Sequence, residues 1–448
     1  MNPKRLVVLG AAESGIGAAV LAQRQGFDVF VSDRGRIKDS YKRQLTSRGL
    51  SWEEGRHTPE LILNADEVVK SPGIPDTAPI VAQLHERHIP VISEIEFAGR
   101  YSNAKMLCIT GSNGKTTTTS LIYHILKKGG FNVGLAGNIG RSLALQVAEG
   151  DAYDWYVLEI SSFQLDGMFA FRADIAVLLN ITPDHLDRYG FEMQNYVDSK
   201  MRLLRNQRAE DSFIYWAQDE YIPAELVRLA PASRLLPFSD APQEGAAAFV
   251  QDGILTSSAP AAPFSVPVGE LSLRGRHNLR NCMAAVLAAQ RAGVPAEAIR
   301  AALSDFPGVE HRLEFAGSVG GVTYINDSKA TNVDACYCAL DSVDTPVVLI
   351  LGGLDKGNDY SAIAPLVRAK CRALVFLGAD NAKLHSFFDG FGLPVRDTSA
   401  MADCVAACAE LARPGDTVLL SPCCASFDLF ANMGDRGRQF KDCVRNLQ

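Results

Sequence analysis

Short, nearly unbroken apolar runs recur along the chain. Each is followed by a turn rich in Gly, Asn or Ser, and most then by apolar residues at helical spacing. Leu6–Leu9 runs into Gly10-Ala-Ala-Glu-Ser-Gly-Ile-Gly17 and a helix ending near Gly26. Asp28–Ser32 is the next strand, with Asp33 at its end. Ala65–Lys70 leads into Ser71-Pro-Gly-Ile-Pro75, and Pro90–Ser93 closes the series. The same alternation returns at Met106–Thr110, Phe131–Gly137, Tyr156–Ser162 and Ile175–Leu179. It returns again at Thr323–Asn326, Val347–Leu351, Ala373–Leu377 and Thr417–Leu420. Runs of this kind alternating with helices predict α/β domains with parallel sheets. The predicted boundaries are 1–93, 94–308 and 309–448. The first and third domains read as Rossmann-like and the central one as a mononucleotide-binding sheet. Within 212–270 short strands alternate with Ala/Pro-rich joints, which predicts a small accessory sheet. Helices are expected over Met193–Leu204 and Arg276–Ala292.

The most informative turn is Thr110-Gly-Ser-Asn-Gly-Lys-Thr116, between a buried strand and the helical spacing of Ser120–Leu126. Glycines admit backbone N–H groups close to phosphates, and a helix N-terminus adds its positive dipole end. Lys115 would reach the terminal phosphates of a nucleotide, and the Thr116 hydroxyl would sit on Mg²⁺. The loop is shorter than the common P-loop, since Gly111 and Gly114 enclose only Ser112 and Asn113.

Ligands gather at the C-terminal ends of strands in open parallel sheets. Asn138, Glu159 and His185 all fall at or just past such ends. Glu159 sits inside Val-Leu-Glu-Ile, where a carboxylate needs a cation or an ion-pair partner. His185 lies between Asp184 and Asp187 and reads equally as a ligand or as a turn residue. Lys200 in isolation reads as a solvated helix lysine. In the third domain Lys329 and Lys356 give the strand ends a positive character suited to phosphates or carboxylates.

Composition narrows the function classes. A chain of 448 residues suits about three domains. Hydrophobic content of 47% and charged content of 21% are those of a globular protein. A net charge of −7 argues against a nucleic-acid binder. No apolar run is long enough to span a membrane. The ten cysteines show neither CxxC nor zinc spacing, so free thiols in a reducing cytoplasm are expected. The first glycine cluster misses the dinucleotide fingerprint, which disfavours a dehydrogenase. A nucleotide diphosphate at that helix start remains compatible, with Asp33 as an acceptor for ribose or base.

Taken in order, several segments resemble the Mur ligases of peptidoglycan synthesis. They are Thr110–Thr116, Leu158-Glu-Ile-Ser-Ser-Phe-Gln-Leu165, Asp184-His-Leu-Asp-Arg-Tyr189, Lys200, His277-Asn278, His311-Arg312, Asn326–Asn332, Ser421-Pro422 and Ser426-Phe427. The resemblance spans essentially the whole chain and is strongest to the branch that adds D-glutamate to UDP-N-acetylmuramoyl-L-alanine.

That resemblance implies a bacterial cytoplasmic enzyme, expected to be a monomer, whose domains bind the uridine diphosphate, ATP and the amino acid in that order. ATP would phosphorylate the muramoyl-L-alanine carboxylate, and the D-glutamate amine would displace phosphate through a tetrahedral intermediate. ATP would contact Gly111, Ser112, Asn113, Gly114, Lys115, Thr116 and Thr117, with Asn278, Arg312 and Asp327 serving the nucleotide. Lys115, His185, Lys200 and Arg312 would be catalytic. Two Mg²⁺ sites would draw on Thr116, Glu159, His185 and a carbamylated Lys200; a carbamate, unlike an ammonium, is an anionic oxygen ligand. Ser14, Asp33, Gly73 and Asn138 would hold the UDP substrate. Lys329, Thr331, Lys356, Ser426 and Phe427 would hold D-glutamate. Met433 and Cys423-Cys424 depart from the family pattern, and Glu13 stands where the diphosphate would approach. The alternatives are a sister ligase for another amino acid or for folate, and a nucleotide-binding protein without ligase turnover. The latter is disfavoured by the metal constellation and the charged edge of the third domain.

Overall fold

The computed structural model describes residues 3–150, 152–258, 263–355 and 357–447. The first sheet contains Arg5–Leu9 (β1), Asp28–Asp33 (β2), Ser51–Glu54 (β3), Glu67–Lys70 (β4) and Val91–Ile92 (β5). Its strand order is β3-β2-β1-β4-β5, all parallel. The second comprises Lys105–Thr110 (β6), Val133–Gly137 (β7), Trp155–Glu159 (β8), Ile175–Leu178 (β9), Ser212–Trp216 (β10), Arg234–Ser239 (β11), Ala248–Gln251 (β12), Ile254–Ser257 (β13) and Phe264–Pro267 (β14). The third comprises Glu314–Val319 (β15), Val322–Asn326 (β16), Val347–Gly352 (β17), Cys371–Leu377 (β18), Val395–Thr398 (β19) and Thr417–Cys423 (β20). Its order is β15-β16-β20-β17-β18-β19, parallel except for β15.

The apolar runs are unbroken because each central strand feeds two cores. Leu6 and Val8 face one core, Val7 and Leu9 the other. In β17, Val347, Leu349 and Leu351 face one core, Val348 and Ile350 the opposite one. Helices on both faces leave no side for polar residues, as parallel sheets require.

One expectation is corrected. The strands of 212–270 are not a separate accessory sheet. They extend the central one, in the order β14-β13-β12-β11-β10-β9-β6-β8-β7. β10 pairs parallel with β9, so its backbone continues the ladder. Only β13 runs against the others, so its pairs with β12 and β14 are antiparallel. The apolar run Phe213–Trp216 has its partner in β9, distant in sequence, so local pattern could not assign it to that sheet.

The chain packs as two compact units. The first two sheets form one (1–271 with 280–306), and the third sheet with 272–279 forms the other. Within the first unit, the helix Glu94–Gly99 joins the sheets through two buried carboxylates. Glu94 accepts from the Ser142 hydroxyl and the Ala144 amide, both at 2.7 Å. Glu96 accepts from the amides of Phe169, Ala170 and Phe171 at 2.9–3.2 Å. The helices Glu13–Arg24 and Leu143–Glu149 pack closely here, and a Cβ at Gly17 would fall 2.0 Å from Ser142 Oγ.

Gly17→Ala is therefore expected to destabilise the first unit by about 1–3 kcal/mol, because the Ser142 cap must move. An unchanged denaturation midpoint would count against this packing. In the other unit, both ring nitrogens of His385 are taken by carboxylates, Asp389 and Asp397, each at 2.8 Å. Those bonds raise the His385 pKa. Their stabilisation is full below the unfolded pKa of about 6.5 and fades as pH rises through the higher folded value. Thermal melts of wild type and His385→Gln should therefore differ most below about pH 6.5 and converge as pH rises above it. A constant difference would mean that the imidazole is not charged in the folded state.

Candidate active site

The turn Gly111–Gly114 stands at the C-terminal end of β6 and opens into the helix Lys115–Lys128. Gly114 has φ +85°, and a Cβ there would lie 2.5 Å from Asn281 Oδ1. Only glycine suits that backbone and that space. The loop is pinned from the turn after β9. Asn180 receives the Asn113 amide on Oδ1 (2.8 Å) and donates Nδ2 to the Asn113 carbonyl (3.0 Å). The Ser112 hydroxyl donates to the Thr182 carbonyl (2.8 Å) and accepts from the Thr182 amide (2.9 Å). Lys115 Nζ donates to the carbonyls of Gly111 (2.7 Å) and Ser112 (2.8 Å), so its ammonium lies over the loop. Thr116 and Thr117 are buried at the helix start. Asn180 was absent from the expected site. An asparagine after a strand carries no signal until the chain that it pins is known.

Glu159 ends β8, in register with Ile109 of β6 and Gly137 of β7, and is 1% exposed. Its Oε1 accepts from Asn138 Nδ2 at 2.7 Å, while its Oε2 is buried without a partner. A buried carboxylate oxygen left unmatched is costly and fits a cation. Among the described residues no three His, Cys, Asp or Glu side chains converge as a ready-made metal cluster. Mg²⁺ needs none, since it keeps waters and phosphate oxygens and takes one or two protein ligands. The oxygen donors here therefore fit that ion.

His185 occupies the left-handed region (φ 53°) just before the turn Leu186–Tyr189. Its ring is half exposed and lies edge-on to Phe163 at 5.1 Å, with Nε2 3.6 Å from Asp184 Oδ2. Lys200 is the opposite of the solvated lysine its helix pattern suggested, being 1% exposed with Nζ 4.6 Å from the centre of the Tyr196 ring. Burial holds its ammonium pKa well below the ordinary value. Lys115 adds to that, and Asp184 and Asp166 oppose it. Tyr196 in turn bonds Ser112 Oγ at 3.1 Å, which links the Lys200 helix to the Gly111–Gly114 turn.

At the C-terminal edge of the first sheet, both oxygens of Asp33 are already engaged, by the amides of Ala11 (2.7 Å) and Gly35 (2.8 Å). Asp33 thus braces the Gly10 turn and retains lone pairs for a ligand. Ser14 is half-buried at the start of the first helix. Gly73 is exposed in a turn that Arg188 contacts through the carbonyls of Pro72 (3.4 Å) and Ile74 (3.5 Å). The Glu13 carboxylate is taken by the Ser142 amide at 3.2 Å.

In the other unit, Asp327 follows β16 and is 4% exposed. It accepts from Ser421 Oγ (2.9 Å) and the Leu313 amide (3.2 Å). Burial pushes its carboxyl up to about 7, against the opposing pull of Arg312. Arg312 Nε is buried without a partner. The Lys329 amide donates to the His311 carbonyl at 3.0 Å, which brings Arg312 and Lys329 onto adjoining loops. Asn278 is buried and donates to the Arg274 carbonyl at 2.8 Å. Ser426 is buried with its hydroxyl unpartnered, Phe427 is 66% exposed and Thr331 is exposed. Lys356 lies outside the described residues. Sequence reading missed Arg436, a fully buried guanidinium that donates to Ser328 Oγ (3.0 Å), the Ser328 carbonyl (2.9 Å) and the Cys424 carbonyl (3.1 Å). It ties the 327–332 loop to the 421–427 loop. A buried arginine in a helix with few apolar positions has no local signature.

Comparisons with known proteins cover all three sheets. Residues 4–93 match the Mur ligase MurD-like N-terminal domain, 109–289 the Mur ligase middle domain and 311–424 the Mur ligase glutamate ligase domain. The chain is 61% identical over 445 residues to the UDP-N-acetylmuramoylalanine–D-glutamate ligase of Bacteroides fragilis, covering 99% of this chain and 100% of that one. It is 54% identical over 444 residues to the enzyme of the same name from Porphyromonas gingivalis, covering 99% and 98%. Its fold is also that of MurF ligase from Thermotoga maritima, solved in complex with ADP. There the TM-score is 0.60 at 16% identity, with 94% of this chain and 96% of that one covered. From its first sheet to its last, the chain belongs to the Mur ligase family.

Proposed function

We propose that this chain joins D-glutamate to UDP-N-acetylmuramoyl-L-alanine with cleavage of ATP to ADP and phosphate. The observation that carries the reading is the 61% identity to a relative of that name across 99% of the chain. The likeness takes in the first and third sheets as well as the phosphate loop. The short loop with Lys115 folded over it suits the nucleotide phosphates, and ADP occupies a MurF ligase of the same fold.

A carboxylate is a poor electrophile, so the terminal phosphoryl group of ATP is first transferred to the muramoyl-L-alanine carboxylate, releasing ADP. The D-glutamate amine then attacks the acyl carbon, the tetrahedral intermediate expels phosphate, and the amine loses a proton. Loop amides and Lys115 neutralise charge on the phosphates. Asn138, bonded to Glu159, would face the muramoyl substrate. Glu159, Thr116, His185 and Lys200 would hold Mg²⁺, which supplies Lewis-acid neutralisation of the phosphoryl oxygens when bound. Arg312 would act on the transferring group, with Asn278 and Asp327 on the nucleotide. Lys329, Thr331, Lys356, Ser426 and Phe427 would receive the two carboxylates and the chain of D-glutamate. Ser14, Asp33 and Gly73 would receive the uridine nucleotide. The boundaries 1–93, 94–308 and 309–448 divide these roles among three domains.

The depressed pKa of Lys200 supports carbamylation, because only a neutral amine adds CO₂. The carbamate would then be an anion beside Lys115, removing a repulsion between two cations.

Phosphate release measured with UDP-N-acetylmuramoyl-L-alanine and ATP should depend on D-glutamate and not L-glutamate, and Lys115→Ala should lower it by about a hundredfold or more. Release with a different amino acid would move the chain to a sister activity. No release with any acceptor would remove the ligase reading. For Lys200, ¹³C-labelled bicarbonate should give a carbamate resonance in wild type that is lost in Lys200→Ala, and activity should fall in CO₂-depleted buffer. Identical spectra for the two proteins would exclude the carbamate.

A further inference from the structure

One imidazole at the edge of the first sheet has no part in the chemistry above. His57 follows β3, and its Nδ1 lies 2.7 Å from Oγ of Ser32, the residue before Asp33. The same hydroxyl is 2.7 Å from Glu53 Oε1 and, more distantly, 3.4 Å from the Arg56 carbonyl. Ser32 has a single proton to place. Burial raises the Glu53 carboxyl, but hydrogen bonds from Thr58, Ser32 and Arg56 outweigh it and hold the group below its ordinary pKa. The Thr58 amide and hydroxyl both donate to it, at 2.8 and 2.5 Å. An ionised carboxylate only accepts, so the Ser32 proton lies on the bond to Glu53. Ser32 must then accept from His57, which makes His57 the Nδ1–H tautomer. Burial lowers the His57 pKa, so the ring is neutral near pH 7 and Nε2 keeps its lone pair. Among the described residues nothing donates to that nitrogen.

The position is as telling as the tautomer. The Ser32 carbonyl accepts from the Gly10 amide at 2.9 Å, and Asp33 accepts from Ala11. One pair of residues thus holds both the turn before the first helix and the half-buried His57 ring.

We propose that His57 Nε2 accepts a hydrogen bond from the nucleoside part of the uridine diphosphate substrate, with Ser32 and Glu53 fixing the tautomer that allows it. This rests on the reading of the first sheet as the uridine-nucleotide site. Uridine offers such a donor at the uracil imide N3–H and at the ribose hydroxyls.

The test is calorimetric binding of UDP to the full chain. Asparagine at position 57 keeps an amide near Nδ1 for Ser32 but has no acceptor at the Nε2 position, which glutamine reaches. His57→Asn should weaken UDP about tenfold and His57→Gln should recover most of it, with ATP affinity and thermal midpoint unchanged in both. Glu53→Gln should also weaken UDP, because the Ser32 proton is then free to turn toward Nδ1. N3-methyl-UDP and 2′-deoxy-UDP identify the donor: the analogue lacking it binds wild type and His57→Asn equally. Wild-type UDP affinity should fall in acid as Nε2 gains a proton, and that of His57→Gln should not. Glu53, Asp33 and Arg34 are the charged groups facing the ring, with Arg56 on Glu53. Equal UDP binding by wild type and His57→Asn overturns the inference alone. Parallel loss of ATP affinity and thermal midpoint makes His57 structural and also overturns it. A wild-type chain that does not bind UDP overturns the uridine-site reading, and this inference with it.

Discussion

Burying charge in an α/β protein is expensive, and the way each buried charge is satisfied separates scaffold from site. Glu96 is 1% exposed and saturated by three backbone amides, with Arg100 alongside. Nothing is left for a ligand, and its work is to hold the first sheet to the second. Glu159 is equally buried, yet one of its oxygens has no partner. Such a group persists only if something else repays its desolvation. Lys200 sits between these cases, with its charge suppressed by its surroundings and an aromatic face beneath it.

The same constraint places the polar groups of the strand ends. Parallel strands covered on both faces leave only their ends open to solvent. Glu159, Asp327 and the Gly111–Gly114 turn all stand at or just past a strand's C-terminal end. There the backbone amides of the following turn and the helix N-terminus add positive potential. The N-terminal ends carry ion pairs that close on themselves. Arg172, for example, binds Asp211 through two nitrogens.

Long-range braces hold these turns. Asn180 pins the Gly111–Gly114 turn from the end of the neighbouring strand, and Tyr196 ties that turn to the helix bearing Lys200. Arg436 fastens two loops of the last unit around Ser328. Each brace is a polar side chain with fixed geometry, so displacement of one loop is felt by its neighbour.

By itself the sequence determined the apolar central strands, the glycine loop with Lys115 and Thr116, and the buried thiols, but it did not mark the edge strands β3, β15 and β19. The features it determined follow from local rules: apolar period, turn chemistry and the glycine need at Gly114. It also marked Glu159, because a carboxylate inside an apolar strand is anomalous without any knowledge of the fold. Tertiary structure decided what depends on partners far along the chain. It assigned β10 to the central sheet through pairing with β9, and β11 through pairing with β10, against the expected accessory sheet. It turned Lys200 from a solvated helix residue into a buried, charge-depressed one. It brought Asn180, Arg436 and the Ser32–Glu53–His57 network into view. The periodicity of a segment states which face is buried, but not which residue, a hundred positions away, will meet it there.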